Sequence, residues 1–400
     1  MAFEDCMART PIRFMALWLG LLVVTGLAAI RVSLADAAPD APSQKEMLAW
    51  LRTGDFDQLD QRYNSIQQAY DSELISDEDL RAPFRVFYLT DPALKGSFAA
   101  WVKHSPMSYA AHLARGIYFE NLGKERRGGD AIEDTSAEQL QGAQKAFGIA
   151  LGELQQSMAL TKRPILSYLY AIDATRFVGT QKRTRQLFDQ AIGIDAHSVV
   201  IREMYMVALQ TAWGGSQKAM RDLLENARAA GLPDSRLRIL ESVIVADQAW
   251  VYNFNDHNYD AAAKAYLKSY DLNPEASCLK CAAAAFLDAH EPDRAREIFN
   301  RLLALNPSDT EAMVRRGWVD INNGRSQDGL ADIQHAANLK DALGEYSLGE
   351  LYLQGRVVPY DKDKGLALVK LAAAQNYLPA TSMLDAISKG LWPSRVNPPQ

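Results

Sequence analysis

Residues 258–274, NYDAAAKAYLKSYDLNP, and residues 291–307, EPDRAREIFNRLLALNP, decide how this chain folds. Each reads as one amphipathic helix closed by Asn-Pro, and the second repeats the first 33 residues on. In the first, Tyr266 is followed three positions later by Ser269; in the second, Phe299 by Leu302. The same spacing recurs at Leu154/Ser157, Phe188/Ala191, Leu224/Ala227 and Ile333/Ala336, with second members 34, 36, 42, 33 and 34 residues apart along the chain. Only Leu302 breaks the rule that the second member is small. Residues i and i+3 share a helix face, so a bulky knob beside a small neighbour lets the next helix approach closely. Helix breaks are expected at Gly123, Gly179, Gly214-Gly215, Gly231-Leu232-Pro233, Asn273-Pro274, Asn306-Pro307 and Gly324, because glycine caps helix ends and proline cannot continue them. Strand signal is almost absent.

A period near 34 with this pattern resembles the tetratricopeptide repeat, most clearly over residues 256–340, where Gly317 is the small residue of a first helix. Residues 346–380, YSLGELYLQGRVVPYDKDKGLALVKLAAAQNYLPA, resemble a Sel-one-like repeat through Leu348-Gly349, Leu351-Tyr352, Gly355, Asp361, Ala372-Ala373 and Ala380. A further copy starts and stops, leaving Trp392 and the proline-rich end to cover the last face. The fold class expected is all-α: a right-handed α-solenoid of helix-turn-helix repeats, whose first helices line a concave face. The expected divisions are 1–37, 38–234, 235–340, 341–390 and a tail, 391–400.

The N-terminus stands apart. Residues 14–30 carry no charge and follow Arg9 and Arg13; as a helix they would reach roughly 25 Å, between a signal-peptide core and a membrane span. Ala35-Asp36-Ala37 supplies an A-x-A cleavage pattern, with Arg31 intervening. Cleaved signal and uncut anchor both remain open, and either puts residues 38–400 outside the cytoplasm: in a bacterial periplasm, or anchored to the inner membrane facing it. The membrane is expected to be touched only through this segment. With 48% hydrophobic and 23% charged residues among 400, a folded core is available. A net charge of -6 argues against nucleic acid as the main partner.

Residues 113–136, LARGIYFENLGKERRGGDAIEDTS, interrupt the repeat. A first helix with Gly116 as its small residue is expected to turn at Gly123, then run through Arg126-Arg127-Gly128-Gly129 into a polar loop over 124–136. A long helix follows, capped by Thr135 or Ser136, with Glu138 near its start. Residues 46–232 resemble a bacterial domain-of-unknown-function family, numbered 4034, through MLAWLRTGDFDQLDQRYNSIQQAYDSELISDEDLRAPFRVF, WVKHSPMSYAAHLARGIYFENLGKERRGGDAIEDTS and TAWGGSQKAM. That resemblance implies no reaction and no catalytic residue. Arg126 and Arg127 either present guanidinium forks to an anion or partner carboxylate, or pair with Asp130, Glu133 and Asp134.

Other chemistry is sparse. Cys278-Leu279-Lys280-Cys281 is the one cysteine pair after the leader, Cys6 lying before it. A disulfide, simple packing, and a redox or metal role stay open, although thioredoxin context, the haem pattern and two further zinc ligands are all missing. The six histidines, at 104, 112, 197, 257, 290 and 335, read as polar helix-surface residues. Trp213-Gly214-Gly215-Ser216 reads as turn and cap. No phosphate loop or nucleophile elbow occurs, and no cofactor or metal is expected. Tyr118, Phe119, Tyr168, Tyr170, Tyr205, Trp250, Tyr252 and Phe254 fall mostly in first helices, where they either pack or anchor a peptide. The function expected is therefore a non-enzymatic scaffold holding a protein or peptide partner in its concave face. The alternatives are an enzyme acting on envelope polymer, for which LESVIV at 240–245 carries only the Glu-Ser pair, and a folding or assembly helper.

Overall fold

The computed structural model describes residues 42–128 and 135–391. The expected leader, Cys6, the loop acids Asp130, Glu133 and Asp134, and Trp392 with the tail beyond it lie outside those residues. Among the described residues there are nineteen α-helices and no strand, and no helix is long and apolar enough to cross a membrane. Two compact units contain them, 42–244 and 245–391.

In the first unit, four short helices come first: α1 (Gln44–Thr53), α2 (Phe56–Asp71), α3 (Asp77–Phe84) and α4 (Lys95–His104). Three antiparallel pairs follow or begin: α5 (Tyr109–Arg127) with α6 (Ala137–Met158), α7 (Ile165–Val178) with α8 (Gln181–Ile194), and α9 (Val199–Ala208) with α10 (Gln217–Ala229). Helix α11 (Asp234–Phe254) contains the unit boundary. The second unit continues with α12 (Tyr259–Leu272), α13 (Ala276–Asp288) paired with α14 (Pro292–Leu305), α15 (Thr310–Asn322) with α16 (Ser326–Asn338), α17 (Ala342–Gln354) with α18 (Lys362–Ala374), and α19 (Leu378–Ser388).

The seam residues read from the sequence are all buried. Leu154, Ser157, Ala191, Ala227, Ile333 and Ala336 are at most 0% exposed, and the others, Phe188, Leu224, Tyr266, Ser269, Phe299 and Leu302, lie under 9%. Their first-helix counterparts are small where the backbones cross. A Cβ added at Gly116 would sit 2.8 Å from Leu154, and one at Gly317 would sit 2.8 Å from Ile333 Cγ1 and 2.7 Å from the Gly329 carbonyl oxygen. Local chemistry sets the helix ends. Ser136 and Gln139 form a reciprocal capping box at α6, while Gly214 in the left-handed region and the Ser216 cap separate α9 from α10 as the sequence suggests.

One expected turn is absent. Gly123 lies inside α5, buried, with Phe147 of α6 against it; a Cβ there would meet that ring at 2.9 Å. The glycine is a point of helix contact, and α5 runs on through Arg126 and Arg127. The arginines expected in a loop therefore belong to the last turn of a helix, where cations oppose the carbonyl end of its dipole.

Helices α1–α4 do not follow the repeat pattern, and their placement decides what the first unit can present. Tyr63, Phe84, Phe87, Phe98 and Trp101 are wholly buried. They pack together and onto α5, where Phe98 stacks on Tyr118 at 4.7 Å. Polar contacts fix the same arrangement. Tyr118 donates to the Asp91 carbonyl at 3.0 Å, and the Tyr88 and Tyr170 hydroxyls meet at 2.9 Å. Arg81 lies 3.7 Å from Glu203 of α9. Asp77 accepts from Ser198 Oγ (2.7 Å) and from the Val199 (2.8 Å) and Val200 (3.1 Å) amides, capping α9 from another helix. Residues 42–104 thus cover one face of α5, α7 and α9, all first helices of their pairs.

Candidate functional site

Where α2, α3, α9 and α11 approach one another, the first unit leaves a cleft of about 450 Å³. Its apolar lining comes from Ile75, Val199, Leu232 and Pro233, and charged side chains line it beside them. Arg163 lies over the Tyr70 ring at 4.2 Å, donates to the Tyr70 carbonyl at 2.8 Å and pairs with Asp195 at 2.7 Å. Asp195 also accepts from the Tyr70 hydroxyl at 2.6 Å. Arg236 grips Glu78 through both guanidinium nitrogens. Burial pushes the Glu78 carboxyl above its ordinary value, and Arg236 pulls it back. Glu73, in the left-handed region at φ 61, extends its carboxylate with 81% of the side chain exposed.

The residues singled out from the sequence do not converge on this cleft. Tyr118 and Tyr205 are 0% and 4% exposed; Tyr118 packs under α4, and Tyr205 stacks on Phe188 at 4.2 Å. Both build the core, so their assignment as partner anchors is corrected: the face they occupy is filled by the chain itself. Tyr168 is half-buried against the same core. Trp250 and Tyr252, in the second unit, are also half-buried, with the Trp250 ring 5.3 Å from Phe254. Arg126 is exposed, its guanidinium 3.5 Å from the Gly142 carbonyl, and Arg127 reaches the Gly128 carbonyl at 3.1 Å. Cys278 and Cys281 are each 1% exposed in the first turns of α13, with Ser269 Oγ 3.4 Å from the Cys278 sulfur. The two sulfurs are not bonded to one another. Side chains three apart on a regular helix have Cβ atoms roughly 5–6 Å apart, wider than the roughly 3.5–4.5 Å a disulfide spans.

Two polar clusters join residues that no sequence spacing brings together. Lys124 Nζ lies 2.5 Å from both Glu120 Oε1 and Asp173 Oδ2, and Arg176 pairs with the other Asp173 oxygen. Glu120 is wholly buried and Asp173 is 3% exposed. Burial, with Asp173 nearby, pushes Glu120 up to about 8. Burial also pushes Asp173 up, but Arg176 and Lys124 overcome it and hold that carboxyl well below the usual range. The second cluster joins His112 of α5 to Glu153 of α6. His112 is 8% exposed, so the surface reading of the histidines fails there. Neither cluster lines the cleft. Glu203, pushed up to about 7 by burial first, is also outside it.

Comparison with known proteins places part of the chain. Residues 43–192 match the model of a family described as a domain of unknown function, DUF4034. A search of curated proteins found no match. Solved structures similar to this chain include a protective antigen of uropathogenic Escherichia coli strains with an SLR fold: 14% identity, 86% of this chain and 75% of that one, TM-score 0.38. A Sel1 repeat protein from Oxalobacter formigenes shares 14% identity over 92% of this chain and 97% of its own, at TM-score 0.33. The apo form of the quorum sensor NprR from B. thuringiensis shares 13% over 87% and 97%, at 0.36.

Proposed function

We propose that this helical-repeat protein is an exported scaffold that binds a segment of another protein or a peptide. The observation that carries the reading is the cleft at α2, α3, α9 and α11. Its lining joins apolar side chains to guanidiniums already held by carboxylates, so hydrogen-bonding side chains stand ready-oriented beside surface a partner can bury. The Glu73 carboxylate, 81% exposed and 3.9 Å from Arg163, favours a segment with a cationic head on an apolar stem. The half-buried Trp250 and Tyr252 in the second unit are further contact candidates, as is exposed Arg126.

A photo-crosslinking residue placed at Ile75 or Leu232 in otherwise intact cells tests this, with exposed Lys182 as the control position. Cleft positions should capture the same protein, and Arg236→Ala should cut the yield at least severalfold. Capture no stronger than at Lys182 contradicts the site. Recovery of the protein with the cytoplasmic fraction of the same cells contradicts the export.

A further inference from the structure

His112 sits between two groups that can only accept. Its Nδ1 lies 2.7 Å from Glu153 Oε2, and its Nε2 lies 3.1 Å from the Pro106 carbonyl oxygen. A neutral imidazole has one donor nitrogen and one acceptor nitrogen, so it would turn a lone pair toward one of these oxygens; only the imidazolium donates to both. We propose that His112 is a proton-held clasp: its charged ring ties α5 both to α6 and to the 105–108 turn, and loss of the proton releases one of the two ties. This goes beyond partner binding and does not depend on it.

The groups facing the ring support the charged form. From α6 comes Glu153; from α5 itself comes Arg115, whose guanidinium meets the other Glu153 oxygen at 2.5 Å. The turn presents the Pro106 carbonyl, and Asp60 of α2 holds that turn through Ser105 and Ser108. The hydrogen bond to Glu153 is the largest influence raising the His112 pKa, opposed by burial and by Arg115.

The sign follows from linkage. The folded pKa lies above the ordinary value of about 6.5, so the folded state holds a proton that the unfolded chain releases. The clasp's stabilisation is complete below about pH 6.5 and fades as pH rises through the folded value. Urea unfolding of the full chain across that window reads it directly. The unfolding constant should climb by up to about tenfold per pH unit for one proton, on top of any slope that remains in His112→Gln. An unchanged slope in His112→Gln overturns the proposal. Ring-nitrogen NMR of the native protein decides the matter if that variant fails to fold. Both His112 nitrogens should carry protons at pH 6, and in Glu153→Gln the titration should fall toward the ordinary value. A bare nitrogen at pH 6, or a titration that Glu153→Gln leaves unmoved, also overturns it.

Discussion

Asp173→Leu should lower the free energy of unfolding by about 3–5 kcal/mol, the usual cost of removing one partner from a buried ion pair. The substitution leaves Lys124 and Arg176 without the carboxylate that both touch. Glu120 limits the loss. In the native protein burial opposes its ionisation and, together with the neighbouring Asp173 charge, outweighs the pull of Lys124. Without Asp173 it should ionise and pair with Lys124. The pH dependence carries the signature. A folded-state value of about 8 against about 4.5 unfolded means that folding takes up a proton. Glu120's contribution to stability is therefore complete below about pH 4.5 and declines toward pH 8. In Asp173→Leu that decline should disappear, leaving the slopes from His112 and from Glu203, which burial raises to about 7. Urea unfolding of both proteins from pH 4.5 to 8.5 checks size and slope together. A loss below about 1 kcal/mol, with the slope unchanged, would mean the four groups do not act as one cluster.

The second large effect comes from Gly329→Val. The first atom of the new side chain would lie 2.3 Å from the Gly317 carbonyl oxygen and 2.8 Å from Ile321 Cγ1. A side-chain neighbour can rotate away; a backbone carbonyl in the facing helix cannot, so α15 and α16 must separate. Overpacking of this kind typically costs about 1–3 kcal/mol. With the contact made backbone to backbone, the upper end or beyond is expected. Gly148→Ala is the matched control: it lies mid-helix in α6 with nothing within 4 Å, so it should stabilise by about 0.5–1 kcal/mol through helix propensity alone. Thermal unfolding of the two variants should move in opposite directions. Equal tolerance of both would contradict the close crossing.

The seams were legible because each is local: a knob and a small neighbour three residues apart lie on one face, whatever the rest of the chain does. The cap at Ser136 and the turn at Gly214 were legible for the same reason. Gly123 shows the limit. A glycine that ends a helix and one that admits a neighbouring ring are the same letter, and the difference lies with Phe147, on the following helix. Tyr118 reads as a candidate for an open face because nothing periodic in residues 42–104 announces that those helices fold back over it, and Tyr205 because no spacing marks Phe188 of the preceding helix as its stacking partner. Asp77 caps α9 across more than a hundred residues of chain, and His112 owes its character to Glu153 on another helix. No spacing rule contains either pairing.

That covered face is the feature on which the account turns, since it moves the candidate partner site from the repeat's first helices to the cleft. Hydroxyl-radical footprinting of the intact protein measures it residue by residue. Trp101 and Tyr118, both wholly buried, should stay unmodified until the protein unfolds, while Met107, 78% exposed, is oxidised at once. Tyr118 reacting in the native protein as readily as an exposed tyrosine would mean the face is open and residues 42–104 do not lie against it.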